Sequence, residues 1–327
     1  RYGDNDTNIG FILTDSRSLC FPEETLFFAL KSERNDGHNY IPELYRRGVK
    51  NFVVTDVPKG YASDYPEANF LKVVNTLEAL QRLAERHRDE FNIPIVGITG
   101  SNGKTMVKEW LYQLLSPSMF VTRSPRSYNS QIGVPLSVWL MNEQTQVGVF
   151  EAGISQPGEM LALRDIIQPT IAVLTNVGSA HQENFSSLEE KCREKLILFH
   201  DAETVVYDGD DEVITKVVAE YPDYKGEKLF WSLQNPEAPF YVKKIEKQQS
   251  VSVITYIYKG VEDSFSIPFI DDASIQNSII CAAVASKIGL SAEDIDKRMA
   301  LLEPVAMRLE VKVGQHGCTL INDSYNS

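Results

Sequence analysis

Ile93-Pro94-Ile95-Val96-Gly97-Ile98-Thr99-Gly100-Ser101-Asn102-Gly103-Lys104-Thr105 passes from an apolar run through a glycine-rich turn into a segment of helical periodicity. Residues 93–99 read as a buried strand. Lys104–Leu115 reads as a helix with Val107, Trp110, Leu111 and Leu114 along one side. Glycines between the two let backbone N–H groups turn inward around phosphate oxygens, and the helix start adds partial positive charge. Gly100, Ser101, Asn102 and Gly103 are therefore the expected phosphate cradle, with Lys104 reaching the β- and γ-phosphates and the Thr105 hydroxyl ligating Mg2+. The strict phosphate-loop pattern wants glycine at position 98, where this chain has Ile98. Without a ligand the stretch would be an ordinary glycine-rich β–α turn. The strand–loop–helix context and the Lys-Thr placement favour the phosphate site.

Working outward, strands are expected over Val147–Glu151 and 170–176, and a helix over 157–167 with its cap at Ser155. Ser186 and Glu189 form a capping box opening a helix that runs to about His200. Continuous apolar strands alternating with helices argue for a parallel sheet covered on both faces. Residues 250–258 and 264–269, joined by a turn at Lys259-Gly260, read as an antiparallel hairpin, and 274–289 as a helix. Towards the N-terminus, apolar runs at 26–30, 51–55 and 70–74 alternate with helix-like segments at 41–48 and Thr76–Arg88. The polar run 87–92 reads as a linker. The expected fold class is α/β: a small N-terminal α/β domain (1–90), then a P-loop, mostly parallel-sheet domain with an antiparallel hairpin region (91–305). Residues 306–327 look like the first strands of something further, and both ends look like cuts through a longer protein.

The chain has 327 residues, with 32 Lys and Arg against 45 Asp and Glu, for a formal charge of −13. That balance argues against nucleic-acid binding, which wants clustered cations to neutralise phosphates. It leaves room for small anions held by local donors and a metal. Cys20, Cys192, Cys281 and Cys318 are far apart and read as reduced thiols, not as a disulfide framework or zinc site. No apolar run approaches the roughly 18–20 residues of a membrane helix, and the polar start shows no secretory signal. A cytoplasmic protein without membrane insertion is expected.

Three further residues stand near the expected crevice. Glu151 ends an apolar strand, where parallel sheets gather ligands, and can face Lys104 and hold the metal. His181 follows the next strand, and Lys195 lies in the helix after it. Taken singly, each has a plain reading: a solvated strand-end carboxylate, a hydrogen-bonding histidine, a surface lysine.

Together with the loop they resemble something definite. Thr99–Glu109 (T-G-S-N-G-K-T-x-V-K-E), Tyr128–Pro135 (Y-N-S-Q-I-G-V-P), Glu151-Ala152-Gly153, Asn176–His181 (N-V-G-S-A-H) and Glu194–Phe199 (E-K-x-x-x-F) occur in that order. This set resembles the ATP-dependent Mur ligases of peptidoglycan synthesis, and within them the branch that adds D-Ala-D-Ala to UDP-MurNAc-tripeptide. Thr14-Asp15-Ser16-Arg17 and residues 27–40 resemble that branch's UDP-binding N-terminal domain, and Asn322–Asn326 the motif opening its C-terminal domain. In some bacteria the branch is fused to alanine racemase.

The resemblance implies a residue-by-residue reading. The tripeptide carboxylate attacks the γ-phosphate of ATP to give an acyl phosphate, which the incoming amine then attacks. Lys104 contacts the phosphates, Thr105 and Glu151 hold one Mg2+, and Glu151 with His181 helps hold a second. Lys195 matches a lysine that is carbamoylated in the family. The modification makes physical sense, since an ammonium about 5 Å from a divalent ion at a dielectric near 20 is repelled by roughly 6–7 kcal/mol. Asn277 matches an adenine-contacting asparagine, although Ala273-Ser274 stand where the family has His-Asn. Arg308 and Asp323 match positions that meet ribose and phosphates when the last domain closes. Ser16, Arg17, Lys31 and Asn129 are the candidates for the UDP-muramoyl peptide, with ordinary surface polarity the alternative for the first three. Because the family's last domain runs past Ser327, these residues alone are expected to bind nucleotide and the UDP-sugar peptide weakly and to turn over poorly or not at all. The rival readings are a sibling amide ligase (diamino-acid-adding, or a folylpolyglutamate synthase), a P-loop kinase or switch, and a non-catalytic nucleotide scaffold.

Overall fold

A computed structural model describes residues 2–3, 6–178, 184–221, 224–305, 310–313 and 319–322. The chain forms two compact units, Arg1–Glu90 and Phe91–Ser327.

In the first unit, strands β1 (Phe11–Leu13), β2 (Thr25–Phe28), β3 (Asn51–Val54) and β4 (Asn69–Lys72) lie in sequence order, all parallel. Helices α1 (Ile41–Arg46), α2 (Tyr61–Asp64) and α3 (Thr76–Arg88) connect or follow them. Alternating strand residues point to opposite faces. Phe27, Phe52 and Phe70 therefore pack with Ile41 and Leu44 on one side, while Leu26, Phe28 and Val53 pack with Leu80 of α3 on the other. The Asn75 side chain caps α3 by accepting from the Leu77 and Glu78 amides. The polar run 87–92 is only partly a linker, because α3 continues through Arg88 and the Arg88 side chain is buried.

The second unit runs β5 (Ile95–Thr99), α4 (Lys104–Leu115), β6 (Val121–Arg123), α5 (Gly133–Val138), β7 (Val147–Glu151), α6 (Met160–Ile167), β8 (Ile171–Leu174) and α7 (Leu188–Leu196). It continues through β9 (Thr204–Asp208), α8 (Glu212–Ala219), β10 (Glu227–Ser232), β11 (Phe240–Lys247), β12 (Ser252–Tyr258), β13 (Val261–Ile267), α9 (Asp272–Ile288) and α10 (Ala292–Met299). A separate antiparallel pair, β14 (Glu310–Val313) and β15 (Thr319–Asn322), follows. The main sheet has nine strands in the order β13-β12-β11-β10-β9-β8-β5-β7-β6. Every neighbouring pair from β6 to β11 is parallel, and only β11–β12 and β12–β13 are antiparallel. β5 is buried at every residue, as its unbroken apolar run requires. One face is covered by α4 and α9, whose Val107, Trp110, Ile279 and Ala283 belong to the same core as the strand residues Val96, Ile98 and Val149.

Several sequence expectations are corrected. The antiparallel region has a third strand, β11, which joins the parallel part through Trp231 and Phe240. Its alternation is broken by a register shift between Val242 and Lys244, so its period-two signal is weak in the sequence. Ser155 does not cap a helix beginning at 157: α6 starts at Met160, and Glu194 of α7 accepts from the Gly158 and Met160 amides at 2.8 and 3.1 Å. The capping pair of α7 lies one residue later than expected. Ser187 accepts from the Glu190 amide at 3.1 Å, and the Glu190 carboxylate accepts from the Ser186 amide at 2.6 Å. Among the described residues no helix is long and apolar enough to cross a membrane. Cys20, Cys192 and Cys281 are free thiols, as expected, and Cys318 lies outside the described residues.

Candidate functional site

The strand order reverses direction at β5: the chain leaves it for β6 and β7 on one side and for β8 on the other. Ligand crevices in open α/β sheets form at the carboxyl ends of strands at such a point. Here those ends are Thr99, Glu151 and Leu174, with Ile98 in register with Glu151 and Thr99 with Leu174.

The loop after β5 needs glycine at two places. Gly100 has φ +145°, and a Cβ there would stand 1.9 Å from the Thr175 hydroxyl oxygen. Gly103 has φ +81° at the start of α4, and a Cβ there would stand 2.5 Å from Asn277 Oδ1. The segment after β8 holds the loop from outside. The Ser101 amide donates to the Asn176 carbonyl at 3.0 Å, the Asn102 amide to Asn176 Oδ1 at 3.0 Å, and the Thr175 hydroxyl to the Asn102 carbonyl at 2.5 Å. The Gly178 amide donates to Ser101 Oγ at 2.9 Å. The amides of Ser101 and Asn102 are thus bonded to the protein's own chain, whereas the sequence reading turned them towards phosphate. Lys104 folds back, its Nζ donating to the Gly100 carbonyl at 2.8 Å.

Glu151 is fully buried. Its Oε2 accepts from the Thr105 hydroxyl at 3.1 Å and the Asn129 amide at 3.4 Å, and its backbone N–H donates to Ser124 Oγ at 3.1 Å. Ser127 Oγ lies 3.3 Å from Thr105 Oγ1. The structure therefore brings Thr105, Asn129 and Glu151 together. Oε1 has no aligned hydrogen bond and instead lies 3.2 Å from Lys108 Nζ, an ionic contact. This donor set suits Mg2+: hard oxygens from one carboxylate and one hydroxyl, the pattern of an ion completed by substrate phosphates and water. Among the described residues no cluster of three His, Cys, Asp or Glu side chains could hold a metal without such help.

Lys195 projects from α7 and is buried. Burial, with repulsion from Lys104 and Lys191 adding to it, brings its pKa down to about 7. Lys191 is also buried, with Nζ donating to the Gly178 carbonyl at 2.6 Å. Asn277, buried on α9, lies against Gly103 and donates from Nδ2 to the Met106 sulfur at 3.2 Å. His181, Arg308 and Asp323 lie outside the described residues.

In the first unit each charged candidate is paired with a nearby carboxylate. Arg17 closes on Asp15, with Nε at 2.9 Å from Oδ1 and Nη2 at 2.7 Å from Oδ2, while remaining 88% exposed. Ser16 lies in the same turn and gives its carbonyl to Arg47 Nη1 at 3.0 Å. Lys31 is exposed and pairs with Asp36 at 3.6 Å. Asp36 also takes His38 Nδ1 at 2.6 Å, and His38 Nε2 accepts from the Thr55 amide at 3.0 Å. Sequence reasoning gave no role to His38, Lys108, Ser124, Ser127 or Lys191. Of these, only Lys108 carried a signal, inside the Val-Lys-Glu segment after the loop.

Fold and loop define a class, that of P-loop nucleotide-binding α/β proteins. Residues 98–285 match the Mur ligase middle domain and residues 8–88 the Mur ligase family catalytic domain. The UDP-N-acetylmuramoyl-tripeptide–D-alanyl-D-alanine ligase of Bacillus subtilis is 30% identical over 328 residues, covering 98% of this chain and 68% of that protein. Crystal structure I of MurF from Acinetobacter baumannii superposes with a TM-score of 0.86 at 25% identity, covering 97% of this chain and 68% of that one. MurF from Thermotoga maritima, solved in complex with ADP, gives 0.83 at 26% identity, covering 98% and 72%. The chain belongs to the Mur ligase family.

Proposed function

We propose that this protein is the ATP-dependent amide ligase that adds D-Ala-D-Ala to UDP-MurNAc-tripeptide, a cytoplasmic step of peptidoglycan precursor synthesis. One observation carries the reading: a phosphate-loop threonine hydroxyl lies 3.1 Å from a fully buried carboxylate, in a chain similar to D-Ala-D-Ala-adding ligases over 98% of its length.

In the reaction, a carboxylate oxygen of the tripeptide attacks the γ-phosphorus of ATP and ADP leaves, giving an acyl phosphate. The amine of D-Ala-D-Ala then attacks the acyl carbon, loses a proton, and the tetrahedral intermediate expels phosphate. Bringing two anions together is mostly an electrostatic problem. Lys104 leaves the Gly100 carbonyl and turns to the β- and γ-phosphates, and the amides at the start of α4 receive phosphate oxygens. Thr105 and Glu151 would hold Mg2+, which would supply positive charge to offset that on the phosphoryl oxygens. Asn277 lies beside the nucleotide at Gly103, with Arg308 and Asp323 meeting it from the last domain. Asn129 meets the muramoyl peptide, and Ser16, Arg17 and Lys31 serve the UDP-sugar end in an N-terminal substrate domain.

Lys195 is the proposed carbamate. A buried amine with a pKa near 7 is substantially neutral at physiological pH, so its nitrogen can attack CO2, form an N–C bond and release one proton. The resulting anion, with Glu151 and His181, would hold a second Mg2+. The test is phosphate release by the full-length protein across an amine panel. Release requires both UDP-MurNAc-tripeptide and D-Ala-D-Ala; release supported equally by single amino acids, or without the muramoyl peptide, overturns the reading.

A further inference from the structure

Lys108 is a cation with no exposed surface, four residues after Lys104 on α4. Its Nζ donates to the carbonyl of Ser124 at 2.9 Å and to that of Arg126. It also lies 2.9 Å from Glu109 Oε1 and 3.2 Å from Glu151 Oε1. Glu109 is held in turn by Arg123, whose Nε and Nη2 are 3.0 and 2.9 Å from Oε2. The carbonyls that Lys108 gathers begin the segment leading to Ser127 and Asn129, both of which reach the Thr105–Glu151 pair.

The two oxygens of Glu151 are therefore divided. Oε1 faces Lys108, and Oε2 faces Thr105 and Asn129. Two consequences follow. The carboxylate cannot rotate to offer both oxygens to a metal without breaking a buried ion pair, which is strongly unfavourable. The buried pair also has no net charge, so the attraction that would draw a divalent cation into an empty crevice is cancelled at its source. One carboxylate oxygen and a hydroxyl are too few ligands for Mg2+, which is ordinarily completed by substrate phosphates and water.

We infer that Lys108 is a positioning residue that makes capture of the ion at Thr105 and Glu151, as distinct from the second ion proposed beside Lys195, depend on the nucleotide: it presents a single carboxylate oxygen and removes the pair's net charge, so that this divalent ion enters with the polyphosphate. This inference rests on the nucleotide reading given above. The experiment is a Mn2+ titration followed by electron paramagnetic resonance, using the full-length protein freed of bicarbonate so that Lys195 stays an amine, with and without ADP, against a blank of ADP alone. Wild type is expected to bind Mn2+ at least about tenfold more weakly without ADP than with it, and Lys108→Met to gain about tenfold in ADP-free affinity. Lys108→Arg, which keeps the charge, should behave as wild type. Equal Mn2+ affinity in wild type with and without ADP overturns the inference, and that arm needs no variant to fold. An unchanged ADP-free affinity in Lys108→Met, or a Lys108→Arg as altered as Lys108→Met, overturns it too. No Mn2+ signal beyond the ADP blank would instead remove the nucleotide reading itself.

Discussion

In the Arg1–Glu90 unit, Arg17 and Lys31 meet Asp15 and Asp36 at the surface, each a few residues away along the chain. In the Phe91–Ser327 unit, Lys108 and Glu151 meet with no exposure at all, one from a helix after β5 and the other from the end of β7. A surface pair is screened by water and forms or breaks at little cost. A buried pair is a commitment of the fold, because removing either partner strands the other in a medium that solvates it poorly. The first arrangement leaves its charges free to re-pair with an arriving ligand. The second ties the chemistry of the site to the stability of the unit.

Glu151→Gln tests that tie most severely. It should lower kcat/KM by about 10³-fold, as loss of a principal electrostatic element does, and should also cost about 2 kcal/mol in urea unfolding, because Lys108 loses one buried charge partner while keeping Glu109 and two carbonyls. Loss of activity with unchanged stability would break the contrast between the units. Lys195→Met should cost roughly 10²-fold in kcat and remove a carbamate signal seen by NMR with labelled bicarbonate. Lys195 also predicts a pH effect in nucleotide-free, bicarbonate-free protein. Its pKa is about 7 when folded against an ordinary 10.5, so across that window the unfolded chain holds more protons and stability rises with pH. Lys195→Met should flatten that rise; an identical slope in urea titrations would sink it. Gly100→Ala puts a methyl against Thr175 at a strained φ, and should weaken ADP binding by roughly tenfold in calorimetry. The smallest effect belongs to the surface pairs. Arg17→Ala should raise the KM for the UDP-linked substrate by roughly threefold to tenfold, as loss of one charged contact does, and leave the urea midpoint unchanged.

The class of fold was legible because burial on both faces of a parallel sheet writes itself as continuous apolar runs, and the glycines of 97–103 stand where strand turns into helix. Helix bounds at 76–88 and 104–115 agree with the structure because apolar spacing coincides there with a local start, the Asn75 cap for the first and the left-handed Gly103 for the second. Expectations failed where the partner of a group is remote in sequence. The amides of Gly158 and Met160, at the start of α6, are bonded by Glu194 from another helix, so the nearby Ser155 misled. β11 was missed because its register shift spoils alternation. The grouping of Thr105 with Glu151 could be anticipated from strand ends alone. The burial of Lys108 could not: its Val-Lys-Glu segment marked the position, but one turn along an amphipathic helix a lysine ordinarily meets solvent, and only the tertiary fold removes it from water.

Glu194 and Lys195 are consecutive, and the first of them binds the start of α6, just beyond the segment that leaves Glu151. The helix that carries the amine is thereby tied to the helix that follows the carboxylate's strand. A swing of α7 would break both hydrogen bonds that Glu194 accepts at the start of α6, so it carries a cost on the β7 side of the crevice as well.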